Sequence, residues 1–87
     1  MDANLHQRQG INHLRRVLDY APFVAEPDGS ATVHLTREDW HVVADTLFQM
    51  QTPKELLPEE IQNYRLVDDN TAIELKTKDN IIRVDVI

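Results

Sequence analysis

Histidine and carboxylate side chains are the groups in this sequence that could bind a metal ion or transfer a proton. The four histidines are His6, His13, His34 and His41. His6 and His13 are seven residues apart, about 10 Å along a helix, which is too far for one ion. His41 and Asp45 are four residues apart and could share a helix face, but two ligands do not complete a site. The sequence therefore predicts no metal site.

The residues needed for nucleophilic catalysis or phosphate binding are also missing from the sequence. There is no cysteine, and the one serine, Ser30, falls in a predicted turn. The two glycines, Gly10 and Gly29, are too few for a glycine-rich phosphate loop. The acidic pairs at 59–60 and 68–69 are sequence neighbours, which point apart on a helix or strand. We expect a protein that is not an enzyme, with no catalytic residues and no cofactor.

Negative charge is concentrated in the middle of the chain. The formal net charge is −6, and residues 22–70 hold three basic against ten acidic residues. Such a field repels nucleic acid and anionic lipid, so neither is an expected partner. Two interpretations remain. The acidic stretch either keeps a small protein soluble or forms a face that binds another protein with a basic surface.

The binding interpretation predicts a partner-binding surface made of five carboxylates and three apolar side chains. They are Glu55, Leu56, Leu57, Glu59, Glu60, Tyr64, Asp68 and Asp69. The carboxylates would occupy a basic surface, as small acidic inhibitors, antitoxins and immunity proteins of phages or bacteria do. The apolar side chains would anchor the contact, although the two leucines could instead belong to the core.

Two helices and a hairpin are predicted over the first 63 residues. Apolar residues spaced three and four apart predict a helix that Pro22 ends, with Asn4 and Gln7 as a possible capping pair and Gly10 as an interruption. Residues 23–26 and 31–35 flank a Pro-Asp-Gly-Ser turn and predict a β-hairpin. Thr36 caps a second helix, and Thr52 begins short helical turns that reach residue 63.

Alternating apolar and polar residues predict an antiparallel meander at the C-terminal end. Its strands cover residues 64–67, 71–77 and 81–87, with Asp- and Asn-rich turns between them. The expected fold class is α+β in one domain, residues 1–87. Its order is an N-terminal helix, a short β-hairpin, a second helix plus short helical turns, and the antiparallel β-meander.

Two further functions compete with the protein-binding interpretation. The β-prone run at 81–87 would leave an unprotected edge strand, which predicts a self-assembling structural or accessory subunit and a possible homodimer. The order of elements also matches a winged-helix regulator, although residues 36–64 hold two basic against six acidic residues. No apolar run reaches the ~18 residues of a membrane span, and the expected location is cytoplasmic.

Overall fold

Two helices pack on one face of a four-stranded sheet. The structure is a computed structural model that describes residues 2–87, with side chains from Leu5 onward. The fold class predicted from the sequence, α+β, is confirmed. The elements in chain order are helix α1 (Asp2–Tyr20), a 3-10 turn (Ala21–Phe23), strand β1 (Ala31–Leu35), helix α2 (Arg37–Ala44), a π-helical turn (Asp45–Gln49), a second 3-10 turn (Lys54–Leu56), and strands β2 (Ile61–Val67), β3 (Ala72–Thr77) and β4 (Ile81–Val86).

Helix α1 buries the apolar stripe that its sequence predicts. Leu14 and Val17 are fully buried in the core, and Ile11 and Leu18 pack against it. Pro22 lies within the 3-10 turn that follows, so the α-helix ends just before it. The predicted capping pair involves the side chain of Asn4, which lies outside the described side chains.

Gly10 does not interrupt α1 as the sequence suggested. A Cβ atom at this position would lie 1.8 Å from Oγ1 of Thr46 and 2.6 Å from its Cβ. Thr46 is fully buried, and its hydroxyl donates a hydrogen bond to the Val42 carbonyl at 2.9 Å. The glycine therefore allows α1 to approach the π-helical turn more closely than any other residue would permit.

Helix α2 begins at the predicted cap and connects the helical layer to the sheet. The Thr36 hydroxyl accepts a hydrogen bond from the Asp39 backbone N–H at 3.2 Å. The indole Nε1 of Trp40 donates to the Val84 carbonyl of β4 at 3.0 Å, and the Trp40 side chain is buried. This bond satisfies the polar group of a core tryptophan and fixes α2 against the centre of the sheet.

The expected helical turns after Thr52 are shorter than predicted. The Thr52 hydroxyl caps no helix; it donates to the Thr46 carbonyl at 2.8 Å and accepts from Nε2 of Gln7 at 3.0 Å. A single 3-10 turn, Lys54–Leu56, follows, and β2 begins at Ile61 rather than at residue 64. Within residues 2–87 there is consequently no third helix that could act as the recognition helix of a winged-helix protein.

The sheet combines the predicted meander with one parallel pair. Its strand order is β1-β4-β3-β2, with β2–β3 and β3–β4 antiparallel and β1–β4 parallel. The meander is confirmed, since β2, β3 and β4 follow one another in space. Alternate residues on one face, such as Ile73, Leu75 and Val84, are fully buried beneath the helices.

The predicted hairpin between residues 23–26 and 31–35 is wrong. The turn itself is present, because the Glu26 N–H donates to the Ser30 carbonyl at 2.7 Å and the Gly29 N–H to the Glu26 carbonyl at 2.8 Å. However, Phe23 belongs to the 3-10 turn, and its Val24 neighbour donates to the Ala21 carbonyl. Too few residues remain before the turn for a strand, so β1 pairs with β4 instead.

The prediction that residues 81–87 form an edge strand is also wrong. Strand β4 lies between β1 and β3 and is hydrogen-bonded on both sides. The two edges of the sheet are β1 and β2. The apolar residues Ile82 and Val84 of β4 are buried under the helices, and they alternate with Arg83 and Asp85, as expected for a central strand with one buried face.

Candidate functional site: an acidic cleft

A cleft of about 760 Å³ opens at one end of the sheet. Its walls are the C-terminal end of α1, the turn that precedes β1, the residues that lead into β2, and the β3–β4 turn. Its apolar lining includes Leu18, Ala21, Ala25 and Ile82, of which Ala21 and Ile82 are buried. The volume lies within the range of about 300–1,000 Å³ that is usual for binding pockets.

Four carboxylates line this cleft. They are Asp19, Glu59, Glu60 and Asp79. Lys78 is the one basic residue among the lining residues. The cleft therefore combines an apolar lining with a surplus of negative charge, from segments that lie far apart in the sequence.

Arg15 neutralises one of these four carboxylates. Its Nη1 and Nη2 donate to the two oxygens of Glu60 at 2.8 and 2.7 Å, a bidentate arrangement. These hydrogen bonds from Arg15 lower the pKa of Glu60 to about 2. Arg15 also lies 3.9 Å from Asp19, at the limit of an ion pair. Glu60 thus stays ionised, but its charge is already matched.

Glu59 and Asp79 have no cationic partner among the side chains from residue 5 onward. Neither carboxylate lies within 4.0 Å of a lysine, arginine or histidine nitrogen. Glu59 is exposed just before β2, and Asp79 is exposed in the β3–β4 turn. These two carboxylates have no direct ion pair, although the charge of Glu59 contributes to the raised pKa of the nearby Arg15.

Two turns that form walls of the cleft approach each other closely at Gly29 and Asn80. Gly29 has a φ angle of +91°, and a Cβ atom there would lie 2.2 Å from Oδ1 of Asn80. The Thr77 N–H donates to the Asn80 carbonyl at 2.9 Å, and the Asn80 N–H donates to the Thr77 hydroxyl at 3.1 Å. In the other turn, Asp28 accepts from the Ser30 N–H and hydroxyl, which lowers the pKa of Asp28. Both turns are therefore ordered by their own hydrogen bonds.

The eight residues predicted to form one partner-binding surface do not lie together. Glu59 and Glu60 line the cleft, and Glu55 and Leu56 are exposed on the preceding 3-10 turn. Leu57 belongs to the core, which is the alternative that the sequence left open for the two leucines, and its side chain is only 9% exposed. Its side chain therefore offers little surface to a partner.

The remaining predicted residues lie along β2 and beyond its end. Tyr64 is partly buried, with its ring edge-to-face against Phe48 at a centroid distance of 5.4 Å. Asp68 and Asp69 follow the last residue of β2, about 20 Å from Glu59 by strand length. Asp68 is ion-paired with Arg83, whereas Asp69 is exposed without such a pair. The single acidic face expected from the sequence is therefore divided between the two ends of the sheet.

Sequence reasoning missed two carboxylates of the cleft and two pairs of ionisable residues. Asp19 and Asp79 reach the cleft only because α1 and the β3–β4 turn meet at this end of the sheet.

Two histidine–carboxylate pairs connect α1 to α2 and the turn after it: His6–Asp45 at 3.2 Å and His13–Asp39 at 3.3 Å. Spacing of three or four residues within a helix could not reveal any of these contacts.

Comparisons with known proteins identify no relative from which a role for the cleft could be inferred. No family model, curated protein or solved structure matches this chain. Among the side chains from Leu5 onward, no group of three or more histidine, aspartate or glutamate residues is placed to hold a metal ion. Neither helix within residues 2–87 combines the length and apolarity needed to span a membrane.

Proposed function

We propose that this protein is a non-enzymatic binding domain that engages basic side chains of another protein through the acidic cleft. The observation that carries the proposal is the pair of unmatched carboxylates, Glu59 and Asp79, beside an apolar lining. The biological role that fits such a domain is inhibition or neutralisation of a basic partner, as in inhibitor, antitoxin and immunity-type proteins.

Lysine and arginine suit this cleft because their side chains have two chemical parts. The hydrocarbon stem can pack on an apolar surface while the charged head reaches a polar rim. In the cleft, Leu18 and Ala25 are not buried and provide such a surface. Glu59 and Asp79 provide the carboxylates. The partner's cation would gain charge-assisted hydrogen bonds without displacing an existing ion pair.

The Arg15–Glu60 pair is an internal example of the recognition that we propose. A guanidinium group lies against a carboxylate of the cleft, with both N–H···O distances below 3 Å. Both side chains remain almost half exposed, so this geometry forms at the surface and not in a dry interior. A guanidinium from a partner could approach Glu59 or Asp79 in the same way.

The net charge of the whole protein supports association with a basic partner. At −6, the protein attracts a cationic surface before contact and raises the rate of encounter. This attraction is screened within about 8–10 Å at physiological ionic strength. Binding should therefore weaken as salt is added, mainly through a slower association rate.

A labelled arginine-rich peptide tests the proposal by fluorescence anisotropy. The cleft variant Glu59→Gln/Asp79→Asn removes both unmatched carboxylates. The control variant Glu38→Gln/Asp69→Asn removes two exposed, unpaired carboxylates outside the cleft, so both variants have the same net charge. We expect the cleft variant to bind about tenfold more weakly than the wild type, from two lost surface ion pairs. The control should lose no more than about threefold.

Equal losses in the two variants would contradict the proposal, because the peptide would then respond only to net charge. Circular dichroism melts of both variants establish that each is folded, which is expected because all four side chains are exposed. Repeating the titration at higher salt adds a second criterion. Affinity that is independent of salt would also count against recognition by the carboxylates.

A further inference from the structure

Strand β1 is an edge of the sheet that lacks the usual protection against pairing. Its sequence, Ala31–Leu35, contains no proline, lysine, arginine or carboxylate, and its register with β4 is continuous. The other edge, β2, has a register shift between Ile61 and Asn63 and carries Arg65. Bulges and charged side chains are the devices that keep edges apart, so only β1 is open to another strand.

The backbone groups of Thr32 and His34 point away from the sheet. Along a strand, the N–H and C=O of successive residues alternate between its two sides. The Leu35 carbonyl accepts a hydrogen bond from the Ile87 N–H at 2.8 Å, on the β4 side. Thr32 and His34 alternate with that residue, so their backbone groups face the open side of β1. Their side chains are exposed on a face of the sheet.

An apolar groove runs beside this open edge. It has a volume of about 450 Å³ between the end of α1 and β1, and Val33 and Leu35 line it from the strand. Phe23 and Tyr20, which line its other side, are 83% and 54% exposed. Two exposed aromatic side chains therefore lie next to an unpaired strand, and burying them in an interface would stabilise a complex.

We propose that a second copy of this chain occupies the β1 edge, so that two four-stranded sheets join into one of eight strands. The two β1 strands run antiparallel about a two-fold axis at Val33. Thr32 then lies opposite His34 of the partner subunit, and the outward backbone groups of both residues form hydrogen bonds across the axis. The aromatic side chains of the groove flank this ladder.

A second copy fits the edge better than a purely basic or purely acidic peptide, because the basic and acidic side chains that line the groove are equal in number. Its lining carries one basic and one acidic side chain, Arg16 and Asp19, although the protein as a whole has a net charge of −6. In a two-fold interface each group of one subunit faces the corresponding surface of the other. A balanced groove can meet its own copy without repulsion, and β1 offers the same outward backbone groups on both sides.

The proposal is tested by measuring the molar mass by light scattering after gel filtration, at protein concentrations from low to high micromolar. The wild type should have twice the 10.1 kDa mass of the chain. Thr32→Lys/His34→Lys places lysine opposite lysine across the axis, and we expect this variant to be monomeric. Thr32→Lys/His34→Glu places lysine opposite glutamate, and the dimer should return.

Together, the two variants test whether residue 32 of one subunit lies opposite residue 34 of the other. The two lysines reduce the net charge from −6 to −4, which lessens general repulsion, so loss of the dimer cannot be assigned to total charge. A wild type that is monomeric at every concentration would overturn the proposal. A dimer that persists in the double-lysine variant would also overturn it, because the interface would lie elsewhere. Neither variant changes Glu59 or Asp79, so peptide binding by the cleft is tested separately.

Discussion

Replacing Gly10 with alanine tests the close packing of α1 against the π-helical turn that follows α2. In an isolated helix the change would be favourable by about 1 kcal/mol, since alanine has the higher helix propensity. In this protein the new Cβ atom would lie 1.8 Å from the Thr46 hydroxyl oxygen and 2.6 Å from the Thr46 Cβ. Rotation about χ1 of Thr46 could relieve the first contact but not the second, so the backbones must move apart.

The expected cost follows from these two opposing effects. Overpacking of a well-packed core typically costs about 1–3 kcal/mol, and a clash that requires backbone movement belongs at the upper end. After the gain in helix propensity, Gly10→Ala should lower the free energy of unfolding by about 1–2 kcal/mol. For a domain of this size, such a loss lowers Tm by roughly 5–15 °C.

A double-mutant cycle in urea separates the clash from other effects. Thr46→Gly removes every atom that the new methyl group would meet. In that background Gly10→Ala should become stabilising by about 1 kcal/mol, which gives a coupling energy of about 2–3 kcal/mol. Asn12→Ala, at an exposed position of the same helix, is the matched control and should be neutral or mildly stabilising. A stabilising effect of Gly10→Ala in the wild-type background would refute this packing of α1.

Two other changes test the electrostatics of the cleft and the conformation of the opposite turn. Arg15→Met should return the pKa of Glu60 from about 2 towards its ordinary value of 4.5, measured by carboxyl NMR titration. Because the folded-state pKa is lowered, the wild type gains stability from this pair above pH 4.5 and loses it as the pH falls towards 2; the variant should lack that dependence. Asp69 has a φ angle of +57°, so Asp69→Gly should stabilise the protein by about 0.5–1 kcal/mol in urea titrations. Asp69→Asn, which removes only the charge, is its control, and an equal gain in both variants would exclude the backbone explanation.

Local features of the fold could be predicted from the sequence, whereas long-range pairing could not. The apolar stripe of α1, the Thr36 cap and the three strands of the meander depend on neighbouring residues and short turns. The parallel pairing of β1 with β4 joins residues about fifty positions apart, such as Val33 and Val84. No short-range pattern specifies such a partner, and the nearby turn favoured a hairpin instead.

The candidate site was predicted only where neighbouring residues contribute to it. Glu59 and Glu60 were identified from the acidic composition, and both line the cleft. Asp19 and Asp79 lie in segments with little excess charge, and only the folded chain brings them together. The sequence also could not show that Arg15 neutralises Glu60, although this pairing decides which carboxylates remain available.

Chemical-shift mapping of the arginine-rich peptide on the labelled wild-type protein tests the role of the cleft most directly. The proposed function predicts that the largest amide shifts occur in the cleft walls, at residues 18–30, 59–62 and 77–82. The same titration of Glu59→Gln/Asp79→Asn should reduce those shifts. Shifts centred on the turn at residues 68–71, or spread evenly over the acidic surface, would contradict the assignment of the cleft as the binding site.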